Sequence, residues 1–251
     1  MLQEPKIVFH HIPKCGGQSI VSGLALTYYP WQILRYGRKG FPAVLNAKAT
    51  QEISPLFGIE NYQYRRQILS YFLAKNDSNF VGGHYPFSQI AYQAYKDNWT
   101  FVTLFRDPVK RWYSEYYWNR YKDHEYAKTE LDIEEYLESK QGRMNTRSYT
   151  NFLHECETPD SQPNDKELQG ALTALECFDV LGCLEDLNKF RADMKAKFGR
   201  KPYFRKKNTS PAPPDVERKP DEKSDFHKKL LTLLEADREI YRRVREKLQL
   251  D

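Results

Sequence analysis

Residues 6–26, KIVFHHIPKCGGQSIVSGLAL, carry the pattern of a buried strand, a tight turn and a helix. The β-branched and aromatic run at 7–9 favours a strand, and Pro13 ends it. The glycine pair at 16–17 permits a sharp turn, and Ser19 can open the helix that follows. Because the first turn of a helix presents free N–H groups and a positive dipole end, this pattern predicts an anion-binding loop.

Lys14 adds a mobile positive charge to this loop. In a Walker A loop the lysine follows the second glycine, whereas Lys14 precedes both glycines. A kinase-like, nucleotide-dependent phosphotransferase with an aberrant P-loop therefore stays open as a second hypothesis. Cys15 does not begin a tyrosine-phosphatase signature, because Val21 stands where that signature has arginine. A strand-to-helix turn that binds nothing is the remaining alternative.

A second strand-to-helix pattern lies at residues 100–121, TFVTLFRDPVKRWYSEYYWNRY. The apolar strand breaks at Asp107-Pro108, and helical spacing follows. Arg106 ends the strand, at the edge where open α/β sheets bind ligands, and Ser114 lies about two turns into the helix. A guanidinium and a hydroxyl so placed can bind a second phosphate. Alternatively, Arg106 and Asp107 form only a surface ion pair.

Together the two segments resemble the sulfotransferases that use 3′-phosphoadenosine 5′-phosphosulfate (PAPS), specifically the carbohydrate family that includes the Golgi glycan enzymes. That family has a HIPKTGGTS-like loop for the 5′-phosphosulfate and an FRDPxxRxxSxY-like element for the 3′-phosphate. Two family threonines are replaced in this chain, by Cys15 and Gln18. The resemblance implies that the cofactor is bound by Lys14, Cys15, Gly16, Gly17, Gln18, Ser19, Arg106 and Ser114.

Further short segments resemble elements of the same family in the expected order. They are GGHYPF at 82–87, MNTRSYTNFL at 144–153, FDVLGCLEDLNKF at 178–190, RKKNTSP at 205–211 and the D-x-x-x-Y spacing at 237–241. The resemblance implies that a late loop closes over the cofactor through Arg205, Lys206, Lys207 and Asn208. It also implies that the acceptor is bound by His11, Tyr85, Asn145 and Arg147.

Sulfuryl transfer needs a base for the acceptor hydroxyl and a cation beside the leaving 5′-phosphate oxygen. Lys14 suits the cation. His84 suits the base, because an imidazole titrates near neutral pH and follows a predicted strand and two glycines. His11 is the rival base, whereas His10 is expected on the opposite face of the strand. His84 could instead be a buried histidine that only stabilises its turn.

The 251 residues predict a single α/β domain, 1–251, with a mostly parallel central sheet flanked by helices. With the resemblance, this becomes a P-loop-like nucleotide-binding sulfotransferase fold whose cofactor cradle lies near 6–26 and 100–121. The spacing also predicts a strand at 79–82 and helices at 64–75, 88–95, 109–140 and 166–176. A mobile basic, proline-rich loop is expected at 205–223 and an amphipathic terminal helix at 225–249.

Composition is compatible with this interpretation without deciding it. The net charge of +5 suits an anionic cofactor or nucleic acid, but no RNA-binding consensus is present, so no nucleic-acid partner is expected. Four cysteines lack metal-ligand spacing, which predicts no metal. Eighteen tyrosines and fourteen phenylalanines could line a sugar groove, so the expected acceptor is a hydroxyl of a glycan or glycoconjugate.

The sequence has no apolar stretch of about twenty residues, so no membrane partner is expected. We expect a cytoplasmic enzyme; the alternative is the soluble catalytic fragment of a Golgi type II membrane protein. The replacements at Cys15 and Gln18 leave a third hypothesis, a nucleotide- or glycan-binding protein that has lost catalysis.

Overall fold

The protein has an α/β fold in which four strands form one parallel sheet, seen in a computed structural model that describes residues 4–31, 45–156, 158–204 and 222–250. The strands are β1 (Ile7–His10), β2 (Phe80–Gly83), β3 (Thr100–Phe105) and β4 (Val180–Cys183), in the order β2-β1-β3-β4. His10 pairs with Gly83 on one side and Thr103 on the other. The predicted parallel sheet is confirmed.

Helices lie in the connections between these strands and also follow β4. They are α1 (Gly17–Tyr28), α2 (Ala47–Ile53), α3 (Asn61–Lys75), α4 (Gln89–Tyr95), α5 (Pro108–Tyr121), α6 (Ile133–Glu138), α7 (Lys140–Thr146), α8 (Ser148–Leu153), α9 (Asp165–Ala174), α10 (Leu187–Phe198), α11 (Asp225–Leu233) and α12 (Glu235–Lys247). Short 3₁₀ turns lie at Ser54–Phe57, Leu175–Cys177 and Leu184–Asp186.

Alternating strand residues separate the core into two layers, one on each face of the sheet. Val8 and Phe101 belong to the layer that contains buried residues of α3, α4, α8, α9 and α12. Phe9 and Val102 belong to the layer packed against α1 and α10. Helices therefore cover both faces, as the fold prediction requires.

A third, aromatic cluster forms where α5 packs against α6 and α11. Trp112, Tyr116 and Tyr117 of α5 are buried there with Tyr136 of α6 and Leu230 of α11. Tyr116, Tyr117 and Tyr136 thus contribute to the hydrophobic core rather than to an acceptor groove.

The helices differ from the predicted ones where tertiary packing or capping decides their ends. α3 begins at Asn61, earlier than the predicted 64, because the Glu60 carboxylate accepts bonds from two N–H groups of the first turn. The predicted terminal helix is two helices divided at Leu234. The division lets α11 pack on the aromatic cluster while α12 packs on the sheet layer that contains Val8.

The predicted helical stretch 109–140 is interrupted after Tyr121, and α6 starts anew at a capping box formed by Asp132 and Glu135. Residues 205–221 of the predicted proline-rich loop lie outside the described residues. Within the described part of the chain, no helix is both long enough and apolar enough to cross a membrane.

Candidate functional site

The carboxyl ends of β1 and β3 form a topological switch point. These two strands are neighbours, but the chain runs from β1 to β2 on one side and then returns to β3 on the other. In open parallel sheets, the connections that leave such strands diverge and open a crevice for ligands. Loop 11–16, which follows β1, and Arg106, which follows β3, lie at these strand ends, and we call the region between them the crevice.

The loop after β1 reaches α1 through two residues in left-handed conformation. Lys14 has φ 65° and Gly16 has φ 77°. A lysine in this region is strained, and such strain is concentrated at functional turns. Gly16 is the N-cap of α1, and no described side chain caps this helix. The N–H of Ser19 donates a 3.1 Å bond to the Gly16 carbonyl, so an anion at the start of α1 would meet the N–H groups that precede Ser19.

Cys15 points away from the crevice into the core. Its side chain is 1% exposed, and its Sγ lies 3.8 Å from the hydroxyl oxygen of Tyr149. Burial raises the pKa of the Cys15 thiol to about 12, so it is protonated at neutral pH. The thiol is thus neither a nucleophile nor a substitute for a threonine hydroxyl, and an anion could contact Cys15 only through its backbone.

Arg106 joins the two predicted phosphate-binding segments. Its Nη1 donates a hydrogen bond of 3.1 Å to the carbonyl oxygen of Lys14. Asp107 has a separate role, because its carboxylate caps α5 by accepting a 2.9 Å bond from the N–H of Lys110. Ser114 is half-buried on α5 and Ser19 is half-buried in the first turn of α1.

Lys14 lies in a mainly positive cluster. Its Nζ stands 4.3 Å from the centre of the Trp118 ring on α5, a cation–π contact. Burial lowers the pKa of Lys14 to about 8, and four further charges act on it: those of Glu115, Arg106, Lys122 and Arg111. With Lys14 these groups are four cations and one carboxylate, a net charge of +3, which favours a ligand with several negative charges.

His84 and His11 form a stacked pair at the carboxyl ends of β2 and β1. Their ring centres are 4.3 Å apart, and His84 Nδ1 lies 2.8 Å from the carbonyl oxygen of His11. Since a carbonyl only accepts, Nδ1 carries the proton and Nε2 is the basic nitrogen. Burial lowers the pKa of His84 to about 4 and that of His11 well below its usual value, so both rings are neutral at pH 7.

His10 lies on the opposite face of β1, as expected. It is 2% exposed and lies among the rings of Phe87, Phe101 and Phe178. Its Nδ1 bonds the carbonyl of Tyr85 at 2.9 Å, and burial lowers its pKa to about 4. His10 therefore belongs to the core.

The other predicted acceptor residues are buried and make internal contacts. Tyr85 is 0% exposed, and Arg147 is 1% exposed, with its guanidinium donating to Asn151 and Glu167. Asn145 accepts a bond from Arg111. Direct contact with an acceptor would require these three side chains to leave their present partners. The predicted cofactor residues Arg205, Lys206, Lys207 and Asn208, and the side chain of Gln18, lie outside the described residues.

Several residues that organise the site were not predicted from the sequence to have a role there. Asp237 on α12 is 0% exposed and accepts bonds from the N–H groups of Tyr149 and Thr150. Tyr241, one turn later, donates a 2.9 Å bond to Glu185, which also accepts from the N–H of Asp107 at 3.1 Å. The D-x-x-x-Y spacing was the available signal, because residues four apart share one helix face.

The described residues contain no group of three or more histidine, cysteine, aspartate or glutamate side chains that could hold a metal ion. No protein-family model matches the chain, and no curated protein matches it either.

Proposed function

We propose that this chain is a PAPS-dependent sulfotransferase that acts on a hydroxyl group of a carbohydrate acceptor. The observation that carries the proposal is the 3.1 Å bond from Arg106 Nη1 to the Lys14 carbonyl. It joins the segment that resembles the 5′-phosphosulfate loop to the segment that resembles the 3′-phosphate element. One nucleotide with phosphates at both ribose positions could reach both segments.

The charges and the backbone of the crevice support this choice of ligand. The start of α1, which no described side chain caps, would present the backbone N–H groups ahead of Ser19 to a phosphate, and the five charged groups around Lys14 carry a net charge of +3. Gly17 adds a steric constraint, because a Cβ at this position would overlap the His11 ring. Residue 17 must therefore be glycine for His11 to pack against the start of α1.

The roles of the side chains follow from their chemistry. PAPS, when bound, supplies an activated sulfuryl group with the 5′-phosphate as its leaving group. His84 Nε2 would accept the proton of the acceptor hydroxyl while the His11 carbonyl holds Nδ1–H. The low pKa of His84 would rise beside a bound anion, which makes the ring a stronger base in the complex. Lys14 would balance negative charge on the leaving side.

The experiment compares ligands and then tests transfer. Adenosine 3′,5′-bisphosphate at a hundredfold excess over its dissociation constant should stabilise the fold by about 2.7 kcal/mol. ATP with magnesium, the ligand of the kinase-like alternative, should stabilise it less. Sulfate transfer from radiolabelled PAPS to a panel of glycans should then be lost in Lys14→Ala and kept in Lys110→Ala, which removes an exposed lysine near the start of α5.

Each hypothesis gives a distinct result in this experiment. Equal or greater stabilisation by ATP with magnesium would refute the cofactor assignment. Binding of the bisphosphate without transfer to any glycan would favour the inactive binding protein.

A further inference from the structure

The hydroxyl group of Tyr149 lies between the two segments that we propose to bind phosphate. It accepts a 3.1 Å hydrogen bond from the N–H of Arg106 and donates another to the carbonyl of the same residue. The Sγ of Cys15, in the loop after β1, is 3.8 Å from the same oxygen. A single side-chain atom therefore contacts both the β1–α1 loop and the β3–α5 junction.

The rest of Tyr149 is fixed in place. The residue is 0% exposed, and its N–H donates a 2.9 Å bond to the buried carboxylate of Asp237. Its ring packs edge-on against Phe105, at 5.1 Å between ring centres, and lies 5.7 Å from the Arg111 guanidinium carbon. These contacts hold the ring from several sides. If the hydroxyl group moves with the β1–α1 loop, its hydrogen bonds to the β3–α5 junction must therefore change, and the reverse also holds.

Arg106 provides a parallel connection through its side chain. Its backbone is bonded to Tyr149 and its guanidinium to the Lys14 carbonyl, on the residue next to Cys15. Displacement of residues 14–15 would thus act on Arg106 both through the guanidinium and through the tyrosine. Because of these two connections, the β1–α1 loop and the β3–α5 junction are expected to move together.

We propose that Tyr149 is a positioning residue that couples the two phosphate sites, so that occupancy of one strengthens binding at the other. This inference rests on the proposed function. The physical basis is that a ligand group at either segment orders both, and the second group then binds to a segment that is already ordered. Tyr149 does not need to touch the ligand to have this effect.

The test uses Tyr149→Phe, which keeps the ring and removes only the hydroxyl group. Competition binding gives dissociation constants for adenosine, its 5′-monophosphate, its 3′-monophosphate and its 3′,5′-bisphosphate. To obtain a coupling factor, the dissociation constants of the two monophosphates are multiplied together. This product is divided by the product of the dissociation constants of the bisphosphate and adenosine, so a factor above one means that the two phosphates help each other to bind. Repulsion between the two phosphates is the same for every variant, so only the change in this factor matters.

Tyr28→Phe is the matched control. Tyr28 is also buried, and its hydroxyl group also donates to a backbone carbonyl, that of Arg200 at 2.7 Å. It lies in the last turn of α1, away from the crevice. Loss of a buried tyrosine hydroxyl can therefore be separated from loss of this particular one.

In the parent and in Tyr28→Phe, we expect the same coupling factor, about tenfold, within the usual range for coupled sites. In Tyr149→Phe it should fall by about fivefold or more, while each monophosphate changes less than about threefold. A merely structural role would weaken all four ligands by a common factor and leave the coupling factor unchanged. That outcome overturns the inference but leaves the cofactor assignment intact. A parent protein that does not bind the bisphosphate overturns both.

Hydrogen exchange on the parent protein gives a test that does not depend on the folding of a variant. The 5′-monophosphate lacks a 3′-phosphate, yet it should slow exchange of the amides at 105–107 and 109–110 as well as those at 14–20. Protection confined to residues 14–20 would contradict the coupling.

Discussion

The pH dependence of ligand binding tests the position that we assign to Lys14. Burial lowers its pKa to about 8, so it loses its proton where an ordinary lysine, with a pKa of 10.5, stays charged. A bound anion favours the charged form, so the affinity for adenosine 3′,5′-bisphosphate should fall as the pH rises through 8. Between pH 7 and 9.5 the loss should be roughly 30-fold, or about 2 kcal/mol. The ligand does not contribute, because phosphate monoesters complete their ionisation near pH 6.

Calorimetry at several pH values measures this loss, and Lys14→Arg identifies its origin. A guanidinium stays charged throughout the range, so this variant should bind with an affinity that is nearly independent of pH. Lys122→Arg is the matched control, because burial also lowers the pKa of Lys122 to about 8 and its charge acts on Lys14. If the pH dependence disappears only in Lys122→Arg, the titrating group is Lys122. A flat profile in the parent would refute contact between the ligand and either amine.

Three other changes test the site more directly. His84→Ala should lower the single-turnover rate by roughly 10²–10⁴-fold and leave the bisphosphate affinity nearly unchanged, because a general base acts on the transition state and not on the bound nucleotide. A rate near that of the parent protein would mean that His11, not His84, is the base. Arg106→Ala should weaken bisphosphate binding by about 1.5–3 kcal/mol more than 5′-monophosphate binding in calorimetry, and equal losses would make it a structural residue. Asp237→Ala leaves two buried N–H groups without their acceptor. It should lower the free energy of unfolding by about 2–4 kcal/mol in urea titrations, and a loss under about 1 kcal/mol would contradict the buried contacts.

Local sequence signals were sufficient for the sheet but not for every helix. The apolar runs at 7–9 and 100–105 predicted buried strands, because strands covered on both faces consist mainly of apolar residues. The division of the terminal helix at Leu234 was not predictable in this way. The apolar spacing continues through it, and only the two different surfaces that α11 and α12 contact require the break.

The same distinction applies to the site. The sequence placed Lys14 and Arg106 in separate segments, and only the strand order shows that these segments lie side by side. The direction of Cys15 was also beyond the sequence, because the left-handed turn at Lys14 and Gly16 decides which way the side chain between them points. In helices and strands, the spacing of apolar residues indicates which side chains are buried. A loop has no such regular spacing, so its sequence does not indicate which way a side chain points.

α12 shows how residues outside the two proposed phosphate sites can still organise them. Asp237 fixes the backbone of Tyr149, and Tyr241 reaches Glu185, which holds the N–H of Asp107 at the start of α5. Both residues lie on one face of α12, so docking of a single helix positions the junction after β3 from two sides. The junction after β3 is therefore positioned only when α12 has folded against it. For this reason, we expect residues in this part of the chain to be constrained by geometry rather than by contact with the ligand.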